Sequence, residues 1–308
     1  MTASDLDALA EKRAPKPPAG LVIARLREGA VEVGSAGPVA PDAVFELGSV
    51  TKAVTGLLLA DAVVRGEVDL GTTLDACLPG ARALRLADLA SHSAGLPRIP
   101  LALLRRVGFT NSTDPYARTT VEELVGDLAR VRLRRRRLRY SNFGAALLGQ
   151  ALATRCGAPY EQLIEERVLR PLGVEEVWAQ GGPPVVQPHD RRGRPVPPWE
   201  FGAYAPAGCL HGTARGALAL SIACLDPPPA MAEAVALALT PRSGTRLLKV
   251  GLGWLNSPAH RGARMWWHNG GTHGCRSFTA FIPESGQAVA GVTNAPRGVE
   301  NATKAAWG

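Results

Sequence analysis

A serine and a lysine three positions apart have the spacing of a nucleophile and its base. Ser49 and Lys52 stand at the start of the apolar segment 53–64, so both side chains project from the first turn of a predicted helix. A serine hydroxyl reacts when a neighbour removes its proton, and a lysine does this when burial or a nearby cation lowers its pKa. The pair therefore predicts acyl-transfer chemistry. A serine N-cap followed by a solvated lysine is the structural alternative for so short a pattern.

The setting of the lysine favours the chemical interpretation. Lys52 is one of only five lysines among 35 basic residues. It precedes a helix that is apolar nearly all round and that ends at Gly66, a typical C-terminal capping residue. Such a helix is expected to be buried, and its N-terminus offers backbone N–H groups to a developing oxyanion.

Two further groups of polar residues stand far along the chain. The first group is Tyr140, Ser141 and Asn142, directly before a predicted helix that Ser141 or Asn142 could cap. The second is His268, Asn269, Gly270, Gly271 and Thr272, at the end of a predicted strand. Glycines there would let a substrate lie along the strand, with the backbone N–H groups of the strand facing the substrate. The structural alternatives are a helix cap with a packing tyrosine, and a glycine hairpin or bulge.

The elements that must position these residues alternate between strands and helices. Residues 21–50 predict an antiparallel meander, with strands in 21–29, 30–37 and 44–47. Residues from about 70 to 240 give mostly helical patterns, and strands return at 251–255, 265–268, 277–282 and 287–293. We therefore expect a sheet lobe formed by residues 1–70 and 241–308, a helical lobe formed by 71–240, and an active site between them.

Composition bounds the remaining possibilities. The chain has 308 residues, 46% of them hydrophobic, which is typical of a globular protein. Its apolar segment 53–64 is shorter than the roughly 20 residues that a bilayer requires, and the first residues lack the pattern of an export signal. We expect a cytoplasmic protein that does not bind a membrane. Five cysteines without a C-x-x-C motif predict buried free thiols, with neither a disulfide framework nor a zinc site.

Taken together, the three groups of polar residues resemble the motifs of the serine β-lactamase and penicillin-binding-protein superfamily. Within it, the sequence is similar to the branch that contains class C β-lactamases, D-Ala-D-Ala carboxypeptidases and β-lactamase-like esterases and acyltransferases. The resemblance covers most of the chain, through segments such as FELGSVTKAVTGLLLADAVVRGEVDLGTTLDACLPG, LADLASHSAGLP, RYSNFGAALLGQAL and WWHNGGTHGCRSF. It implies an α/β (α+β) fold of the β-lactamase/transpeptidase type, in which helices flank an antiparallel sheet and a mostly helical lobe is inserted.

The resemblance also implies roles for individual residues. Ser49 would be the acylated nucleophile, Lys52 its base and Tyr140 the phenol or phenolate that moves protons to and from the leaving group. The backbone N–H groups of Ser49 and Gly271 would form the oxyanion hole. The substrate-binding residues would be Asn142, His268, Asn269, Gly270, Gly271 and Arg276.

One departure from the family pattern bears on the substrate. Class C β-lactamases have a lysine where this chain has His268, a residue that is largely neutral at pH 7. We therefore expect a simpler ester or amide rather than efficient β-lactam hydrolysis, with Arg276 as a possible partner for a carboxylate. The predicted protein is a serine acyl-enzyme hydrolase that needs no metal or cofactor. A transacylase that moves the acyl group to an alcohol or amine is the alternative.

A different class of function rests on a run of arginines. The net charge is +8, and part of the excess lies in Arg130, Arg132, Arg134, Arg135, Arg136, Arg137 and Arg139. A non-catalytic basic binding protein is therefore a second alternative, although no aromatic residues are interleaved with the run. The sharper hypothesis is that the run borders the active site and steers an anionic substrate or an acyl carrier protein.

Two other patterns are rejected as sites. Ser93 imitates a G-x-S-x-G nucleophile, yet the first glycine is missing and Pro97 blocks the helix that must follow. The histidines fit no metal-ligand spacing, and Cys209 and Cys275 have no histidine at a recognisable spacing.

Overall fold

The computed structural model describes residues 3–108, 114–259 and 262–307. Its α-helices are α1 (Ala3–Arg13), α2 (Thr51–Val64), α3 (Leu74–Cys77), α4 (Leu86–Ala90), α5 (Leu101–Gly108), α6 (Val121–Arg130), α7 (Asn142–Cys156), α8 (Tyr160–Ile164), α9 (Ala205–Gly208), α10 (Ala214–Leu225), α11 (Ala232–Ala238) and α12 (Glu300–Lys304). Its strands are β1 (Leu21–Arg27), β2 (Ala30–Ala36), β3 (Phe45–Glu46), β4 (Val177–Trp178), β5 (His211–Gly212), β6 (Ser243–Gly244), β7 (Lys249–Val250), β8 (Leu255–Pro258), β9 (Arg264–Gly271), β10 (Arg276–Ile282) and β11 (Gln287–Thr293).

An eight-stranded antiparallel sheet joins the two ends of the chain. Its strand order is β2-β1-β11-β10-β9-β8-β7-β6. Strand β1, next to the edge strand β2, therefore pairs with β11, and Leu21 lies opposite Thr293. The strands before residue 40 and after residue 240 therefore build one sheet. The helices between them pack on each other and on this sheet.

The predicted meander is wrong in its third strand. Strands β1 and β2 pair as expected, but β3 leaves the sheet and pairs with β5 in a separate three-stranded sheet of order β3-β5-β4. Leu47 then hydrogen-bonds through its N–H to the carbonyl of Leu210, at 2.8 Å. This excursion carries the chain from the sheet to the start of α2.

Helix α2 lies in the core, as its apolar sequence predicts. Every residue from Thr51 to Ala62 is buried. A Cβ atom on Gly56 would lie 2.0 Å from the carbonyl oxygen of Leu252, so only a glycine allows the helix to approach the backbone there. Helices α7, α9 and α11 enclose it from the other sides. The N-terminus of α2 is thereby fixed.

Helix α10 packs on the sheet although it falls within the range expected for the helical lobe. The Thr279 hydroxyl of β10 donates to the carbonyl of Ala217 at 2.8 Å, and it also lies 2.6 Å from the Ser221 hydroxyl. A buried pair of hydroxyls thus joins the helix to the sheet.

The other predicted elements agree with the structure except at one strand. The mostly helical pattern expected from about residue 70 to 240 is confirmed by α4, α6, α7, α8 and α10, and the strands expected at 265–268, 277–282 and 287–293 are present as β9, β10 and β11. The strand expected at 251–255 begins only at Leu255. Gly253 has a φ of +78°, and the N–H of Leu252 donates to Ala238 rather than to a neighbouring strand.

The remaining predictions concern cysteines, metals and the membrane. All five cysteines are free thiols, but Cys156 and Cys209 are half-buried rather than buried. Within the described ranges, no cluster of histidine, cysteine or carboxylate side chains is arranged to hold a metal ion. None of the helices in those ranges has the length and apolar character needed to cross a membrane.

Candidate active site

Ser49 and Lys52 meet at the start of the buried helix. Ser49 lies in a single 3-10 turn, Gly48–Val50, that leads directly into α2. The Lys52 Nζ atom lies 2.9 Å from the Ser49 Oγ atom and donates to the carbonyl oxygen of Ala207 at 2.6 Å. The lysine side chain is 2% exposed, and no carboxylate forms an ion pair with it among the described residues.

This setting favours the neutral form of Lys52. Burial, assisted by the positive charge of Arg98, holds the pKa of Lys52 well below its ordinary value. The neutral amine has a lone pair that can accept a proton from the hydroxyl beside it. Ser49 itself is half-buried, so its oxygen remains reachable from solvent.

Tyr140 is brought to this pair from about ninety residues away. Its hydroxyl is close enough to Ser49 to interact with it, and Lys52 Nζ lies 5.1 Å from the centroid of its ring. The His92 ring packs against the tyrosine ring with centroids 4.5 Å apart. Burial raises the pKa of Tyr140 above its ordinary value, while the interaction with Ser49 and the charge of Arg98 oppose this rise. The tyrosine is therefore a neutral phenol at rest, which selects one of the two forms that the sequence allows.

Strand β9 runs against the backbone that precedes Ser49. A Cβ atom on Gly270 would lie 1.8 Å from the carbonyl oxygen of Leu47, and one on Gly48 would lie 2.7 Å from the nitrogen of Gly271. The Ser277 hydroxyl also donates to the Leu47 carbonyl, at 2.6 Å. These glycines let the strand and the turn touch, and the Gly271 backbone consequently lies beside the turn that carries Ser49.

His268 is buried behind the site rather than exposed in it. Its side chain is 0% exposed, its Nδ1 atom lies 2.6 Å from the carbonyl oxygen of Asn269, and its Nε2 atom has no hydrogen-bond partner among the described residues. Burial, together with the charge of Lys52, lowers the pKa of His268 to about 3. The imidazole is therefore neutral at physiological pH and cannot serve as a fixed cation.

Asn142 is also buried away from solvent. It begins α7, whose N-cap is Ser141, and the Ser141 hydroxyl accepts the N–H of Gly144 at 2.8 Å. The Asn142 Nδ2 atom donates to the hydroxyl of Tyr116 at 2.9 Å. Among the residues that the structure describes around the open cleft, neither Asn142 nor His268 contributes to the lining.

An open cleft of about 420 Å³ lies over the Ser49 hydroxyl. It is lined by Ser49, Arg98, Tyr140, Trp199, Leu255, Asn269, Gly270, Gly271, Thr272, Arg276 and Glu300. Six of the predicted site residues are thus brought together at one surface, with Lys52 buried beside them. The structure adds Arg98, Trp199 and Glu300, which sequence reasoning missed, whereas Thr272 belongs to the predicted group that begins at His268. Of the three added residues, only Arg98 lies next to a segment that the resemblance had marked, because LADLASHSAGLP ends at Pro97.

Polar contacts fix the walls of the cleft. The buried Glu46 carboxylate accepts hydrogen bonds from the backbone N–H of Trp199 and from the Thr272 hydroxyl, each at 2.7 Å. Arg276 Nη1 donates to the carbonyl oxygens of Thr272 and Cys275, at 2.6 and 2.7 Å. The Asn269 Nδ2 atom donates to Glu300 at 2.8 Å. Loops from distant parts of the sequence are therefore joined around the cleft.

The arginine run lies along a different groove, of about 1020 Å³. Arg130, Arg132, Arg134, Arg135 and Arg139 line this groove, whereas no member of the run is among the described residues that line the cleft. The cations of the cleft are Arg98 and Arg276 instead. Ser93, the rejected nucleophile, donates to the Asp88 carboxylate at 3.1 Å.

Comparisons with known proteins find relatives of this chain. One relative is the D-alanyl-D-alanine-carboxypeptidase/endopeptidase AmpH of Escherichia coli (strain K12), which is 32% identical over 146 residues, 44% of this chain and 36% of that protein. Another, a β-lactamase of Pseudomonas fluorescens, is 26% identical over 202 residues, 58% of this chain and 52% of that protein. The matches thus span about half or less of the length of these relatives.

Solved structures show the same fold. A class C β-lactamase from Rhodobacter sphaeroides superposes with a TM-score of 0.83 at 22% identity, covering 99% of this chain and 97% of the other. The predicted fold, an antiparallel sheet flanked by helices, is thereby confirmed. The model of the Beta-lactamase family matches residues 10–307, almost the whole sequence. The chain therefore belongs to the Beta-lactamase family.

Proposed function

We propose that the protein is a serine hydrolase that forms an acyl-enzyme from small esters or amides. The observation that carries this proposal is the 2.9 Å contact between Lys52 Nζ and Ser49 Oγ, made by a buried lysine that has no carboxylate partner among the described residues. A lysine in such a position is a proton acceptor rather than a structural cation.

The residues around Ser49 support a complete proton path. Lys52 accepts the hydroxyl proton while Ser49 Oγ bonds to the substrate carbonyl carbon, and the N–H groups of Ser49 and Gly271 receive the negative charge on the carbonyl oxygen. The Tyr140 phenol gives its proton to the leaving oxygen or nitrogen as that bond breaks, and it regains a proton from Lys52. Water then attacks the acyl-enzyme by the reverse path and frees Ser49.

The character of the cleft supports a simple acyl substrate. His268 is neutral and buried where a class C β-lactamase has a lysine, so this chain lacks that cation. Arg98 and Arg276 supply positive charge at the cleft instead. The relatives are named as β-lactamases and as a carboxypeptidase/endopeptidase, which supports hydrolysis of a carbonyl substrate.

Turnover of three substrate types tests the proposal. We would compare wild type with Ser49→Ala on 4-nitrophenyl hexanoate, a D-alanyl-D-alanine peptide and a chromogenic cephalosporin. Ester turnover that needs Ser49 and exceeds cephalosporin turnover is the expected result. Adding an alcohol or amine and measuring its acylated product separates a transacylase from a hydrolase. Absence of Ser49-dependent turnover, together with a nucleic-acid shift in a gel, would instead favour the basic binding protein.

We also infer that the groove lined by the arginine run receives an acidic protein, such as an acyl carrier protein in the cytoplasm. Its arginines cluster around the apolar side chains of Leu101, Leu104 and Leu133. Arg139, at one end, directly precedes Tyr140. Neutralising three of these arginines should raise KM for a carrier-bound acyl donor and flatten its salt dependence, without the same change for a free ester.

A further inference from the structure

A second cavity of about 490 Å³ lies next to the cleft over Ser49. Trp199, Thr272 and Arg276 line both cavities, so the two are adjacent. We call the second cavity the basic basin. It is lined by Asp190, Arg191, Arg192, Arg194, Trp199, Thr272, His273, Arg276 and Pro296.

The basin carries an excess of positive charge. The carboxylate of Asp190 is already bound by the Arg194 side chain at 2.7 Å and by the backbone N–H groups of Arg192 and Arg194. Within the described ranges, Arg191, Arg192 and Arg276 form no ion pair with a carboxylate. Burial lowers the pKa of Arg276, the nearby Glu300 carboxylate of the cleft opposes this shift, and a weaker repulsion from Arg191 adds to it. An anion placed between these arginines would relieve that repulsion.

The junction between cleft and basin is held in place before any ligand binds. Glu46 accepts from both Trp199 and Thr272, and Arg276 is anchored by two backbone carbonyls. The guanidinium group of Arg276 therefore does not need to be ordered by a substrate, which reduces the entropic cost of binding there.

We propose that the basic basin binds a carboxylate or phosphate group carried by the substrate, some distance from the carbonyl that Ser49 attacks. This inference rests on the proposed function, and it assigns an anionic class of acyl substrate to it. Arginine suits both anions because its planar donors can bind two oxygens at once.

Esters that differ only in their charge test the proposal. The series comprises 4-nitrophenyl esters of a six-carbon acyl chain ending in methyl, carboxylate, phosphonate or trimethylammonium, and hexanoate esters of 4-nitrophenol with and without a ring carboxylate. We expect kcat/KM for one anionic ester to exceed that of its neutral counterpart by about threefold to tenfold, mainly through KM, since exposed ion pairs are individually weak. Comparing esters charged on the acyl chain with esters charged on the nitrophenol ring shows which side of the scissile bond faces the basin. Comparing the carboxylate ester with the phosphonate ester shows which anion the basin prefers.

Two double variants with the same change in charge provide the control. Arg191→Gln with Arg192→Gln should bring the anionic-to-neutral ratio towards one. Arg170→Gln with Arg246→Gln alters exposed arginines that line neither cavity, and it should leave the ratio as in wild type. Equal kcat/KM for anionic and neutral esters in wild type, or a preference that survives in the first double variant, would overturn the proposal.

A binding measurement keeps this test separate from the proposed function. Calorimetry with adipamic acid, adipamide and phosphate, using Ser49→Ala, requires no turnover. Tighter binding of adipamic acid than of adipamide, lost in the Arg191→Gln/Arg192→Gln background, supports the basin even if no ester is hydrolysed. Equal or absent binding of both compounds contradicts it, even if Ser49-dependent hydrolysis of the neutral ester is observed.

Discussion

The Lys52 amine lies 2.9 Å from the Ser49 hydroxyl and is almost completely buried. Its only other hydrogen-bond partner in the described part of the chain is the carbonyl oxygen of Ala207. Because neither partner is an anion, nothing compensates for the loss of hydration that a protonated lysine suffers there. Burial of Lys52 therefore lowers the stability of the folded protein, at the position where the proposed reaction needs a base.

Replacing this lysine should separate activity from stability. Lys52→Met is expected to lower kcat/KM for 4-nitrophenyl hexanoate by about 10² to 10⁴, the usual contribution of a general base. The free energy of unfolding should not fall, because methionine fills the site without burying an ionisable group. Ester kinetics and urea unfolding measure the two effects. Lys12→Met changes an exposed lysine of α1 and should alter neither; a strongly destabilised Lys52→Met would contradict this interpretation.

The phenol of Tyr140 should matter for the rate more than for substrate binding. Tyr140→Phe keeps the ring that packs on His92 but removes the hydroxyl that interacts with Ser49. We expect kcat to fall by about 10² to 10³ with little change in KM. Tyr116→Phe deletes another largely buried phenol, which lies outside the cleft lining and bonds Asn142, and it serves as the control. Equal kcat in Tyr140→Phe and wild type would remove tyrosine from the proton path.

Buried neutral His268 should make the protein sensitive to acid. Its pKa is about 3 in the folded state and 6.5 as the ordinary value, so below pH 6.5 the unfolded chain binds a proton that the folded chain does not. Stability is therefore lost as the pH falls from 6.5 towards 3. Between pH 7.5 and 5.0 the loss from this residue should be about 2 kcal/mol.

Urea unfolding of His268→Gln at these two pH values measures that loss. The difference in unfolding free energy between pH 7.5 and 5.0 should shrink by about 2 kcal/mol relative to wild type. His273→Gln replaces an exposed histidine and should keep the wild-type difference. The same pH dependence in His268→Gln and wild type would show that His268 has the same pKa in the folded protein as in the unfolded chain, which would contradict the prediction.

The contact between β9 and the turn of Ser49 should tolerate no side chain. A Cβ atom on Gly270 would clash with the carbonyl of Leu47, so Gly270→Ala must push the strand away from Ser49. We expect a stability loss of about 1–3 kcal/mol and a fall in kcat of about tenfold or more, because the oxyanion hole is displaced. Gly126→Ala, in α6 with no contact closer than 3.6 Å, should be neutral or stabilising. Wild-type kcat in Gly270→Ala would argue against the oxyanion hole.

Local patterns predicted the centre of the site well. The three-residue spacing of Ser49 and Lys52 and the apolar character of α2 are properties of one helix, so the sequence alone places both side chains together. Tyr140 came from the resemblance, since no local rule brings a residue from the start of α7 to the start of α2. Arg98, Trp199 and Glu300 lie in loops or short elements without periodicity, and only the tertiary fold brings them to the cleft.

The misses have physical reasons of the same kind. Residue type does not reveal burial. Asn142 and His268 could therefore be assigned to the two groups of polar residues but not to the protein interior. The strand at residues 45–46 leaves the main sheet because its hydrogen bonds go to β5, which lies more than 160 residues away in sequence. The basic basin joins residues 190–194 to residues 272–276, a pairing that the sequence does not display.

Covalent labelling of Ser49 tests the central claim most directly. Wild type, Ser49→Ala and Lys52→Met would be incubated with a fluorophosphonate, and intact mass and peptide mapping would follow the adduct. A single adduct on Ser49 in wild type, absent from Ser49→Ala and formed far more slowly in Lys52→Met, is the result that the account predicts. Labelling of Ser49→Ala at the wild-type rate, or an adduct that maps to another residue, would contradict it.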